Sequence, residues 1–171
     1  MTDEDREQFI LDNQWAFKHG AMIEFGERDS HIDQDGEIIS KKTIEDSIDD
    51  PENEAYRITL DGKNVGGAVL KINKDPPHNH LELFFVLPDE HGKGIGYAAW
   101  QAIEACHPET EVWETCTPYF EKQNIHFYDN KCGFHITEFW CEYNVDPNEP
   151  NEDRHPDEGP DEMFRFVKVM K

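Results

Sequence analysis

Gly92, Gly94 and Gly96 stand at every second position, just after the most apolar run of the chain, Leu83-Phe84-Phe85-Val86-Leu87. Glycines in such a turn let the main chain come close to a ligand, and the first N–H groups of a following helix lack acceptors of their own. A buried strand, a glycine turn and an alanine-rich helix together make a site for an anion such as a pyrophosphate. The spacing is not that of a dinucleotide fold, since no GxGxxG follows an N-terminal strand with an acidic residue downstream. Nor is it a P-loop, because no Lys-Ser or Lys-Thr follows the glycines. A turn built only for packing would use the same glycines. Further along, Asn124 and Tyr128 are four residues apart, which puts both on one face of a helix and within reach of one ligand.

Patterning supplies the elements that hold these groups. Thr2 reads as the N-cap of a first helix with acids in its opening turn. Phe9 with Ala16, and Ile10 with Phe17, give that helix a buried stripe. Residues 26–54 are polar and acid-rich, lid-like, with a short helical signal at Lys41–Ile48. Tyr56–Leu60 and Val65–Ile72 flank Asp61-Gly62-Lys63-Asn64, a hairpin signal. Leu81–Leu87 is apolar on both faces and reads as a central strand. The helix after the glycines carries Ile95, Ala98, Ala99, Ala102 and Ile103 at helical spacing, and Pro108 ends that region. Glu111–Cys116 is a strand, Asn124–Lys131 a short helix, Phe134–Tyr143 a strand. Asn144–Asp161 is a Pro- and acid-rich loop, and Met163–Met170 closes the chain as a strand. The order predicts a single α+β domain with a mixed sheet over residues 1–171.

Composition bounds the partners. With 38 Asp and Glu against 16 Lys and Arg, the chain carries −22, a field that repels nucleic acid and anionic membranes and attracts cations. A solvated acidic surface is the plain reading; a cationic substrate or an acidic mimic of DNA are sharper ones. The longest apolar run is far too short to span a membrane. The acidic start, Met1-Thr2-Asp3-Glu4-Asp5, does not resemble a secretory signal, so a cytoplasmic protein is expected. Cys106, Cys116, Cys132 and Cys141 form no CxxC pair and read as reduced core thiols. His78-Asn79-His80 reads as a wet turn, and no metal is expected.

The glycine segment, His91-Gly92-Lys93-Gly94-Ile95-Gly96, resembles motif A of the GNAT superfamily, an Arg/Gln-x-x-Gly-x-Gly/Ala turn that binds the pyrophosphate of acetyl-CoA. His91 stands where the family has Arg or Gln. Asn124-Ile125-His126-Phe127-Tyr128-Asp129-Asn130-Lys131-Cys132-Gly133-Phe134 is similar to the family's Asn-x-x-x-x-Tyr-x-x-x-Gly-Phe signature, with Cys132 in the usual Leu slot. The likeness covers residues 55–143 closely. The family begins with a strand, whereas this chain starts at the helix cap, so the sheet edge beside Tyr56–Leu60 is where a departure is expected. The resemblance implies a mostly antiparallel twisted sheet, splayed at the acyl-CoA site and flanked by about four helices.

It also implies direct attack of an amine on the acetyl-CoA thioester, without a metal. The amides of His91, Gly92, Lys93, Gly94, Ile95, Gly96 and Tyr97 would hold the pyrophosphate. Main-chain groups of Phe85 and Val86 would pair with the pantetheine and aim an N–H at the acetyl oxygen. Tyr128 would protonate the departing thiolate, and Asn124 would contact the pantetheine or cap its helix. Glu82 would act as base, directly or through water. A lone acid in an apolar strand is costly to bury, and burial would raise its pKa toward that task. A substrate-binding or solvent-facing carboxylate is the other reading of Glu82, and Glu114 on the neighbouring strand is the reserve base. The acceptor is an unidentified small-molecule or peptide amine, with acid-rich residues 20–54 and 144–161 favouring a cationic one; a homodimer stays open. A weakly catalytic acyl-CoA-binding module and an acidic DNA mimic are the competing functions.

Overall fold

The computed structural model describes residues 2–25, 36–147 and 162–171. The first helix, α1, runs Asp3–Phe25. Thr2 caps it: the Asp5 N–H donates to Thr2 Oγ1 at 3.2 Å. Residues 26–35 of the expected lid lie outside the described residues. The rest of that stretch is no lid, because α2 (Lys41–Asp49) is capped by Ser40 and docked through fully buried Ile44. Arg6 ties α1 to α2 by reaching Asp49 at 2.6 Å and Glu45 at 3.2 Å.

Strands β1 (Asn53–Leu60) and β2 (Lys63–Lys71) form the expected hairpin. Its turn is Asp61-Gly62, both at positive φ, and Leu60 pairs with Lys63. Then come β3 (His78–Val86), a 3₁₀ turn at Pro88–Glu90, α3 (Ile95–Cys106) and β4 (Val112–Pro118). The short α4 (Lys122–Ile125) continues into a π-helical turn at His126–Cys132, followed by β5 (His135–Trp140) and β6 (Met163–Val169). The closing strand is thus where the sequence puts it, and residues 148–161 of the acidic loop lie outside the described residues. The sheet order is β1-β2-β3-β4-β6-β5, with β3–β4 its parallel pair and the rest antiparallel. Among the described residues, β1 is an edge of the sheet, on the side where the family's opening strand would lie.

Each face of the sheet carries its own core. Phe9, Ile10 and Ala16 of α1 and Ile44 of α2 pack with Val69, Leu83 and Phe85 on one face. Gly67 makes that docking fit, since a Cβ there would stand 2.3 Å from the Phe9 ring and 2.8 Å from Phe85. On the other face Trp100 of α3 joins Leu70, Leu81, Trp113, Tyr128, Phe134 and Phe166. The inward stripe of α3 differs from the expected one. Ala99 and Trp100 are buried while Ala98 and Ala102 are exposed, because the bulk of Trp100 turns its own side of the helix to the sheet.

A bulge sets the phase of the central strand. Leu70 pairs with Leu81 and Val69 with Leu83, so Glu82 is the extra residue. Leu81 and Phe84 therefore face the α3 side, whereas Leu83 and Phe85 face α1. His78, Asn79 and His80 belong to this strand and not to a wet turn. Buried Asn79 donates to Thr110 Oγ1 at 2.7 Å and accepts the Asn73 N–H at 2.9 Å.

Candidate active site

The parallel strands β3 and β4 pair only at His78↔Val112, Asn79↔Trp113 and His80↔Glu114. Beyond that point they part, leaving a notch between residues 81–86 and 115–118. Its apex is closed by a side chain: Thr115 Oγ1 donates to the Leu81 carbonyl at 2.9 Å. Along β3 the main chain alternates. The Leu87 N–H is given to Val65 O at 2.8 Å, so the polar groups of Val86, and two residues back of Phe84, turn to the notch. The Phe85 carbonyl instead lies against Gly66 of β2.

The wide end of the notch is the glycine turn. Gly92 and Gly94 both have φ +77°, a conformation that strains any L side chain, and beyond each lies open space. Gly94 is the N-cap of α3, and the Ala98 N–H is the first to find its helical acceptor, Gly94 O at 3.1 Å. The amides of Ile95, Gly96 and Tyr97 have no acceptor within the helix, and the positive end of the helix dipole adds to their attraction for an anion. Gly96 serves differently: a Cβ there would touch Phe127 at 3.4 Å and Val86 at 3.7 Å, ordinary contact distances, so this glycine brings α3 close to the strand end. Lys93 is not a free cation, since it pairs with Glu90 at 2.7 Å. His91 turns its ring back onto β3, with Nε2 at 2.8 Å from Val86 O. A carbonyl only accepts, so this nitrogen carries a proton.

The narrow end is lined by the second motif. Tyr128 is buried, its ring among Phe127, Phe134 and Phe166, and its hydroxyl lies beside Thr115. Thr115 has one proton, given to Leu81, which leaves its oxygen as an acceptor. Burial pushes the Tyr128 hydroxyl well above the usual tyrosine range, which keeps it protonated. One turn earlier Asn124 donates to Thr117 Oγ1 at 3.2 Å. Asn124 is inside α4, whose N-cap is Glu121, so the capping role falls away. Thr115 and Thr117, both buried on one face of β4, are the partners that sequence reasoning missed. A Thr-x-Thr pair in a strand was the signal that could have found them.

Glu82 lies on the opposite face at the same apex. It is exposed at the bulge, not buried in the strand, and shares a cleft with Lys71 and with Lys42, Thr43 and Asp46 of α2. Glu114 is differently placed. Arg165 grips it with two bonds, Nη2 to Oε1 at 2.6 Å and Nε to Oε2 at 3.0 Å, and also takes Glu138 at 2.7 Å. The motif residues thus gather along one notch, with Tyr128 and Glu82 at its apex on opposite faces and the glycine turn at its mouth. Of the four thiols, Cys132 and Cys141 are buried as expected, whereas Cys106 and Cys116 are exposed. No described helix is long and apolar enough to cross a membrane.

Comparison with known proteins gives the family and the fold. Residues 12–134 match the acetyltransferase (GNAT) family. The chain is 46% identical to the uncharacterized protein YrkN of Bacillus subtilis (strain 168), over 99% of this chain and 90% of that one. Its fold is similar to the ribosomal-protein-S18-alanine N-acetyltransferase of Escherichia coli, with TM-score 0.66 and 15% identity over 99% of this chain and 90% of that one. It is also similar to a GNAT family acetyltransferase from Elizabethkingia anophelis with acetyl-CoA bound, with TM-score 0.59 and 17% identity over 77% of this chain and 84% of that one. By its splayed sheet, its glycine turn and its sequence match, the chain belongs to the GNAT acetyltransferase family.

Proposed function

We propose that this protein transfers an acetyl group from acetyl-CoA directly to a primary amine of a small-molecule or peptide acceptor, both substrates being bound at once. The observation that carries the reading is the notch itself. An anion site stands at its mouth, and a proton donor and a carboxylate flank its apex. With the pyrophosphate on the amides of the glycine turn, the pantetheine runs back along β3 past Val86 and Phe84. A strand advances about 3.3 Å per residue, so the thioester comes to rest near Leu81 and Glu82.

At that apex the acceptor nitrogen attacks the thioester carbon from the α1–α2 face. Glu82, or a water it holds, takes one proton from the acceptor ammonium, and the neutral amine then forms the C–N bond. Negative charge on the carbonyl oxygen is met by a main-chain N–H of the bulged strand. As the C–S bond breaks, Tyr128 gives its proton to the sulfur, and the second proton shed by the acylated nitrogen passes through water to restore the tyrosine. Glu114 is the poorer base, because Arg165 occupies both its oxygens. The acidic balance of the chain favours a cationic acceptor, and Glu82 makes no ion pair of its own among the described residues.

A second reading, binding without turnover, draws on His91. Its ring occupies the Val86 carbonyl that the pantetheine would pass, so acyl-CoA must displace it. Release of free CoA from acetyl-CoA, followed with a panel of polyamines, aminoglycosides and peptides with free N-termini, separates the two. Amine-dependent CoA release is the expected result. Tight acetyl-CoA binding with no release for any amine would favour the second reading.

A further inference from the structure

The inward side of α1 carries two buried polar residues, Asp12, which Arg57 meets at 2.8 Å, and Asn13. Asn13 follows Phe9 by one turn, precedes Ala16, and is 0% exposed. Neither its Nδ2 nor its Oδ1 has a hydrogen-bond partner among the described residues. An amide shut away from water with both ends unmade is a cost to folding, which a bound group that supplies a donor and an acceptor would remove.

The course of α1 says what that is. At Phe9 the helix lies over β3, the ring 5.1 Å from Phe85. By His19 it has reached the glycine turn, with the His19 and His91 rings 6.0 Å apart. At Gly20 it meets Glu121, the residue that opens α4 beyond β4, within 3.4 Å of a Cβ position. Between Phe9 and Gly20 the helix therefore crosses from one lip of the notch to the other. Asn13 sits on its underside in that crossing.

We infer that the Asn13 carboxamide is a binding residue for the pantetheine arm of acyl-CoA, reaching it from the α1 side of the notch. The chemistry matches: the arm carries secondary amides, each with one N–H and one C=O, and a carboxamide offers a donor and an acceptor in return. This rests on the acyl-CoA reading of the notch but goes beyond it, since neither the glycine turn nor the Asn124–Tyr128 motif includes α1.

The test is acetyl-CoA binding by calorimetry to the full chain and to Asn13→Leu, with the melting temperature of each ligand-free protein. An apolar side chain of similar size removes the unmade bonds. The expected result is a ligand-free melting temperature equal to or above that of the parent, with acetyl-CoA affinity about tenfold weaker. Unchanged affinity overturns the inference. If Asn13→Leu melts lower or fails to fold, the side-chain amide resonances of Asn13 in the parent decide. A shift on adding acetyl-CoA supports the contact, and resonances that stay in place at saturation refute it. A parent that binds no acetyl-CoA sinks the acyl-CoA reading itself, a different outcome from a parent that binds and a variant that binds equally well.

Discussion

The Thr115 hydroxyl donates to the Leu81 carbonyl at 2.9 Å, one residue beyond the last pair that joins β3 to β4. That bond commits the one proton of Thr115 and leaves its oxygen as an acceptor beside the Tyr128 hydroxyl. The strand that ends the sheet pairing thus also sets an acceptor beside the buried tyrosine.

Thr115→Val should lower kcat with little change in the KM for acetyl-CoA, because it takes away the acceptor beside the Tyr128 hydroxyl. Tyr128→Phe alone should cost about 10²–10⁴-fold in turnover if it is the general acid. A double-mutant cycle separates positioning from packing. If Thr115 acts through Tyr128, Thr115→Val should have almost no further effect on kcat in the Tyr128→Phe background. Equal losses in both backgrounds would make Thr115 a structural residue only.

Gly94 and Gly96 should respond differently to the same change. Gly94→Ala places a side chain at φ +77° on the N-cap that aims the free amides, so acetyl-CoA affinity should fall at least tenfold in a folded protein. Gly96→Ala adds a methyl group at ordinary contact distance from Phe127 and Val86, so its effect should be small. Calorimetry on the two variants measures this. Equal losses would mean that the turn is sensitive to bulk and not to backbone conformation.

Gly67→Ala probes the other core. The added Cβ would stand within 2.3 Å of the Phe9 ring, and the backbone of a central strand cannot retreat far. Overpacking of this kind costs about 1–3 kcal/mol. Phe9→Ala should cost about 3–5 kcal/mol by leaving a cavity. Combined, the two should destabilise by less than the sum, since the cavity receives the new methyl. Urea midpoints of the three variants are the measurement, and a strictly additive pair would refute the contact.

Local signals placed most of this fold. The Asp61-Gly62 turn, the glycine turn and the Thr2 and Ser40 caps are each decided by residues adjacent in the chain. The features that organise the site are not local. The bulge at Glu82 exists only as a mismatch between β2 and β3, so a carboxylate expected inside a strand emerges exposed on the side of α2. Trp100 displaces the alanines as the inward side of α3 because the space it fills lies between Trp113 and Phe134, far along the chain. Glu114 is open as a base in the sequence, and only β6 places Arg165 beside it. Asn13 is a gap in an apolar stripe, and its meaning appears only where α1 crosses the notch.

Two buried groups predict an alkaline limit to stability. Burial pushes the Cys132 thiol from its ordinary 9.0 up to about 12 and raises Tyr128 further. In the unfolded chain both ionise at their ordinary values, 9.0 and 10.0, while the folded chain holds its protons. The native state then binds more protons than the unfolded one, so stability falls as pH rises through this window, by up to about 1.4 kcal/mol per pH unit for each proton withheld. Urea midpoints from about pH 8 to pH 11 should decline. Cys132→Val should make the decline shallower without moving its onset, because burial also pushes the Cys116 thiol from 9.0 up to about 12. A decline of the same slope in that variant would assign the effect to other groups.

The net charge of −22 should make salt act in opposite directions on the two substrates. Acetyl-CoA is an anion and must approach a strongly acidic protein. The turn that receives it offers main-chain amides, since Lys93 is neutralised by Glu90. On the other face, Glu82 stands open at the apex whereas Glu114 and Glu138 are held by Arg165. Salt shortens the Debye length from about 30 Å at 0.01 M to about 8 Å at 0.15 M, which screens distant surface acids but not contacts inside the notch. Across that range acetyl-CoA affinity should rise or hold, and the affinity for a polycationic amine should fall. Glu82→Gln should flatten the second trend more than Glu138→Gln, because the Glu138 charge is already met by a guanidinium. Michaelis constants of both substrates against ionic strength measure this. If both move the same way, the acids serve solvation alone and the acceptor need not be a cation.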